Sequence, residues 1–140
     1  MSQLLKLNIW FEGSRPKTIP AAIVPVIVGT ASVENGLTLH RFVLALVVSI
    51  ALQVGVNYAN DYSDGIRGTD QDRIGPRRLV GSGLIKANQV KLAAGISFLI
   101  AAIAGLVLAI MTSLWLILIG CVAILAAWFY TGGSRPYGYS

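Results

Sequence analysis

Charge is missing from three long stretches of this chain, and their lengths predict membrane helices. Thr18 to Val33 carries no charge but is short for a span. Phe42 to Asn60 is charge-free and long enough. Leu92 to Ser134 is long enough for two spans of roughly 20 residues each, with Thr112 and Ser113 as a weak polar break. The pattern predicts an all-α, polytopic membrane helix bundle in a single domain over residues 1–140. Its spans fall at about 16–33, 41–63, 88–111 and 114–130. Ahead of them, Leu4 to Phe11 places apolar residues and an aromatic pair before the first span and predicts a short amphipathic interfacial helix, with Trp10 and Phe11 at headgroup depth.

Local signals refine the elements. Pro16 suits the first turn of the first membrane helix. Pro20 and Pro25 fall inside that helix and should kink it. Glu34 to Gly36 reads as a turn on the far side. The third helix is rich in alanine and glycine, which predicts close helix packing, and Asn88 is its expected N-cap. The fourth helix ends in Trp128, Phe129 and Tyr130, an interfacial belt. Between the second and third helices lies a polar loop, Asp64 to Ala87, long for a compact bundle.

Composition agrees with a membrane protein. The chain has 140 residues, 55% of them hydrophobic and 12% charged, with mean hydropathy +0.70. The net charge of +5 could suggest a nucleic-acid partner, but its placement argues for topology instead. Only Arg41 of the eleven lysines and arginines falls on the far side of the predicted spans. This positive-inside bias makes the other side cytoplasmic. The first residues lack the pattern of a cleavable signal peptide. Cys121 lies within a span as a small apolar residue, and His40 belongs to the far side.

The chemistry gathers at the cytoplasmic end of the second helix. Asn57, Asn60, Asp61 and Asp64 recur at helical spacing and share one face. One reading is a solvated helix end. The other is a magnesium site, with Asp61 and Asp64 as ligands and Asn57 and Asn60 supplying neutral oxygens, since Mg²⁺ pairs one or two carboxylates with phosphates and waters. In the loop, one of Asp70 and Asp72, with Asp70 preferred, could add to the metal, and Arg73, Arg77 or Arg78 could hold phosphate oxygens through the guanidinium fork. That loop also reads as merely charged and solvated. Gly81 to Gly83 is a turn, not a P-loop: no Gly-Lys-Ser/Thr follows it. The chain shows no zinc spacing, nucleophile–histidine pair or dinucleotide fingerprint.

Four motifs carry a family resemblance: Arg15 to Ala21 (RPKTIPA), Asn57 to Asp70 (NYANDYSDGIRGTD), Asp72 to Arg77 (DRIGPR) and Tyr130 to Tyr139 (YTGGSRPYGY). Together they resemble the UbiA superfamily of intramembrane prenyltransferases, and within it the branch whose aromatic acceptor is 1,4-dihydroxy-2-naphthoate. The resemblance implies a helix bundle with two aspartate-rich motifs facing a central cavity, both binding Mg²⁺ and the diphosphate of a polyprenyl diphosphate. Asn57, Asp61 and Asp64 match the first motif. The second has no counterpart, so the chain resembles an N-terminal half, expected to be inactive by itself. The implied reaction is prenylation of the naphthoate ring with loss of its carboxylate, on the route to menaquinone, at the cytoplasmic face of a bacterial plasma membrane. Arg73 and Arg77 are then candidates for the diphosphate and Arg15 for the aromatic carboxylate. Competing readings are a sister enzyme acting on 4-hydroxybenzoate or haem, half of a transporter, and a non-catalytic membrane fragment.

Overall fold

The structure, a computed structural model, describes residues 3–33, 38–68, 78–131 and 138. Helix α1 spans Gln3–Gly13, and a 3-10 turn at Pro16–Thr18 leads into α2, Ile19–Ala31. Then come α3, Leu39–Arg67, α4, Ala87–Thr112, and α5, Trp115–Thr131. The all-α expectation holds, and several boundaries move for physical reasons.

Helix α3 runs a turn beyond its expected end and carries Asp64 inside it. It stops at Gly68, whose φ of 69° is left-handed and whose N–H caps the Asp64 carbonyl. At about 1.5 Å per residue its 29 residues reach roughly 43 Å. A bilayer core is about 30 Å thick, so α3 is longer than an upright crossing needs and could cross at a tilt.

Helix α4, at 26 residues, is also long and apolar enough to cross a membrane. The other two expected spans are shorter helices, of 13 residues in α2 and 17 in α5. The expected N-cap of α4 shifts from Asn88 to Lys86, which makes no side-chain capping bond. Pro20 lies in the first turn of α2, where its missing N–H removes no intrahelical bond; Pro25 alone is interior.

The core lies between α3 and α4. Val90, Ala94, Phe98, Ala101, Ala104 and Ala109 form the buried face of α4. Small side chains let the two backbones approach, and at Gly55 a Cβ would stand 2.7 Å from the Phe98 ring. The opposite face of α4 exposes Ile96, Leu99, Ile103, Leu106 and Ile110. So large an apolar surface suits lipid, not water.

Helix α1 does more than lie at an interface. Ile9 is buried, while Leu7 and Phe11 point outward. Trp10 packs edge-on against Tyr58 at 5.6 Å between ring centroids, and its carbonyl accepts the Tyr58 hydroxyl at 2.9 Å. α1 is therefore fastened over the end of α3.

Candidate functional site

The last turns of α3 are its most buried part: Asn57, Tyr58, Ala59, Asp61 and Ser63 are all shielded. Buried polar groups require partners, and these partners assemble the site.

A polar row at every fourth position, Ser49, Gln53 and Asn57, faces α2. Ser49 donates to the Ala22 carbonyl at 2.7 Å. Gln53 donates to the Thr18 hydroxyl at 3.2 Å. The Asn57 amide donates to the Ser14 carbonyl at 2.8 Å and to the Thr18 hydroxyl at 3.0 Å. Sequence reasoning passed over Ser49 and Gln53, although their i+4 spacing inside an apolar span was a readable signal. Asn57 is thus a fastener of the α1–α2 link.

That link has an unusual backbone. Arg15 adopts φ 53° and ψ 67°, the only positive φ outside glycine among the described residues. The left-handed turn is uncommon for a side chain this large. One terminal guanidinium nitrogen of Arg15 is buried without a hydrogen-bond partner among the described residues. A buried donor left so costs about 1–3 kcal/mol or more, and an anionic ligand would relieve it. The Arg15 charge also reaches the Asp61 carboxylate.

Asp61 is 1% exposed. One carboxylate oxygen accepts the backbone N–H of Leu79 at 2.9 Å, the other that of Val80 at 3.0 Å. The turn carrying these amides, 79–83, is held by Ser82 and Gly83 N–H bonds to the Arg78 and Val80 carbonyls. It approaches α3 so closely that a Cβ on Gly65 would meet Val80 at 2.3 Å. Likewise a Cβ on Gly13 would meet Leu79 at 2.6 Å. Only glycine admits these approaches without displacement.

Asp64 pairs with Arg78 at 3.0 Å, both side chains 13% exposed. Nearby, Arg67 donates to the Ser63 carbonyl at 3.3 Å and to the Ser63 hydroxyl. Asn60 is half-buried on the same helix end. Asp70, Asp72, Arg73 and Arg77 lie outside the described residues. Among the described residues, Arg78 is a loop arginine that reaches α3.

The expected magnesium ligands divide. Asp64 fits: it is partly open, and one carboxylate beside phosphate oxygens and waters is a normal Mg²⁺ environment. Asp61 as placed does not fit, because both its oxygens are engaged by amides and the side chain is closed to solvent. Among the described residues no group of three or more His, Cys, Asp or Glu side chains could hold a metal.

A family model described as the UbiA prenyltransferase family matches residues 22–139. The chain is 53% identical over 133 residues to a 1,4-dihydroxy-2-naphthoate octaprenyltransferase of Mycobacterium tuberculosis, covering 94% of this chain and 46% of that protein. It is 50% identical over 132 residues to the protein of the same name in Mycobacterium leprae, covering 93% and 45%. With that of Escherichia coli the identity is 37% over 146 residues, covering 98% and 47%. The chain therefore spans about half the length of the curated relatives it matches. No solved structure matches it.

Proposed function

The chain belongs to the UbiA prenyltransferase family, and from that premise we propose that it forms part of a membrane enzyme moving a polyprenyl group from polyprenyl diphosphate to 1,4-dihydroxy-2-naphthoate. The ring loses its carboxylate as the prenyl carbon enters, on the way to demethylmenaquinone. The observation that carries the reading is the pairing of Asp64 with Arg78 at 3.0 Å, at the polar end of a long apolar helix. A carboxylate beside a guanidinium suits a metal-bound diphosphate; a lipid-facing helix suits its hydrocarbon tail.

Arg78 binds the diphosphate through its planar fork. Arg15, with a buried donor that has no partner among the described residues, takes the acceptor carboxylate. Magnesium, held by Asp64 and Asp70, would supply positive charge against the departing diphosphate. The apolar walls of the helices exclude water from the allylic cation. A cavity of about 230 Å³ between α3, α4 and α5 is lined by Leu52, Ala101, Gly105 and Ile124. Ligand-enclosing sites run from about 300 Å³ upward, so this groove accommodates only part of a prenyl chain. That size is in keeping with a chain half the length of its relatives. The charge asymmetry supports a plasma-membrane enzyme with this site toward the cytoplasm.

A chimera tests the reading. With this chain replacing the matching segment of a full-length relative, membranes supplied with Mg²⁺ and polyprenyl diphosphate should prenylate 1,4-dihydroxy-2-naphthoate. Product on 4-hydroxybenzoate or haem, with none on the naphthoate, would assign it to a sister acceptor.

A further inference from the structure

Two successive backbone amides aimed at one buried carboxylate form an unusually directed contact. Asp61 receives Leu79 N–H on one oxygen and Val80 N–H on the other. Eighteen and nineteen residues of sequence separate the partners. Leu79 is itself buried, and Val80 packs over the bare Cα of Gly65. The residue immediately before this pair is Arg78, whose guanidinium lies on Asp64. Fixing the backbone at 79 and 80 fixes where the Arg78 side chain starts.

We infer that Asp61 is a positioning residue: its carboxylate latches the Leu79–Val80 turn onto α3 and so holds Arg78 beside Asp64. This deepens the proposed function and rests on it only for what the Asp64–Arg78 pair faces; the latch itself needs no ligand. The chemistry explains the choice of aspartate. Two N–H donors from adjacent residues need two acceptors, and an ionised carboxylate presents both in charge-assisted bonds. Asparagine offers one acceptor and turns an NH₂ toward the second amide. Glutamate adds a methylene where the turn already touches the helix. Burial disfavours the anion, and the two amides and then the nearby Arg15 charge act against that.

Amide exchange and chemical shifts of the isotope-labelled 140-residue chain in lipid nanodiscs test this. In the wild type, Leu79 and Val80 should exchange slowly although they belong to no helix, and millimolar MgCl₂ should leave them unchanged. Asp61→Asn should speed both by about tenfold or more and shift both amide protons upfield, with Ala94 and Phe98 of α4 unaffected. Fast exchange of these amides in the wild type would overturn the latch. So would release of the amides by Mg²⁺, which would make Asp61 a metal ligand, or an Asp61→Asn chain with the same exchange as wild type. If Asp61→Asn fails to fold, the wild-type measurement with and without Mg²⁺ decides. Prenyl transfer by the full-length chimera addresses the functional reading separately: no product on 1,4-dihydroxy-2-naphthoate, with intact amide protection, would count against that reading and leave the latch standing.

Discussion

Asp64 and Arg78 meet at 3.0 Å across a loop, each side chain 13% exposed. Neither is fully in water, so losing one partner leaves the other charge largely buried and uncompensated. Arg78→Gln should weaken binding of Mg²⁺-pyrophosphate about tenfold or more, since a charged hydrogen bond to phosphate is worth about 1.5–3 kcal/mol. Asp64→Asn should remove the dependence of that binding on magnesium, so that chelation no longer lowers it. Calorimetric titration in nanodiscs reads both. Equal pyrophosphate affinity in all three chains would detach this pair from the diphosphate.

Arg15 supplies a separate test. Its buried guanidinium nitrogen has no partner among the described residues. Arg15→Gln should weaken 1,4-dihydroxy-2-naphthoate binding about tenfold, followed by tryptophan fluorescence in a chain with Trp115 and Trp128 replaced by Phe, and leave pyrophosphate affinity in place. A loss of pyrophosphate binding instead would move Arg15 to the diphosphate.

The closeness of Gly65 to Val80 predicts a steric effect. Gly65→Ala places a methyl 2.3 Å from the Val80 side chain and 3.4 Å from the Gly81 nitrogen. The turn must move, at a cost of about 1–3 kcal/mol for overpacking. Gly29→Ala is the control: nothing lies within 4 Å of its Cβ, and in the interior of α2 alanine should be neutral or favourable by up to about 1 kcal/mol. Thermal unfolding in detergent checks the ordering; a Gly65→Ala chain as stable as Gly29→Ala would show that the turn is not where the structure puts it.

Much of this was readable from the residues because charge is so costly in lipid. The charge-free stretches marked the helices, and the amides and acids at Asn57, Asn60, Asp61 and Asp64 marked the end that carries the polar partners. What periodicity could not supply was who faces whom. Asp61 and Asp64 share a helix face and look alike in sequence, yet one holds backbone amides and the other a guanidinium. Their partners come from beyond a loop that has no periodic pattern to set its path. The end of α3 was likewise ambiguous, because Gly65 and Gly68 both suit a stop; only Gly68 takes the left-handed turn, while Gly65 stays helical to admit Val80.

At the core, Gly55 and Phe98 form one contact of two parts. Gly55→Ala would set a methyl 2.7 Å from the ring and should destabilise the α3–α4 pair by about 1–3 kcal/mol. Phe98→Leu costs stability by itself but frees space at that spot, so the double variant should be less impaired than the two losses added. Helix association measured by detergent-induced unfolding gives the three values. Simple additivity would mean that the ring does not cover Gly55.

The row Ser49, Gln53 and Asn57 predicts a different kind of coupling, because two of its members share an acceptor. Asn57→Leu deprives the Ser14 carbonyl and the Thr18 hydroxyl of a donor at once. Hydrogen bonds between membrane helices average about 0.6 kcal/mol and reach about 1.7, so a loss of about 1–2 kcal/mol is expected. Gln53→Leu removes one long bond to the same hydroxyl and should cost less than Asn57→Leu. With Gln53 gone, Thr18 depends more on Asn57, so the second loss should be larger than the first measured alone. Thermal unfolding of the four chains closes the cycle. A coupling of zero would mean that Thr18 does not join the two amides.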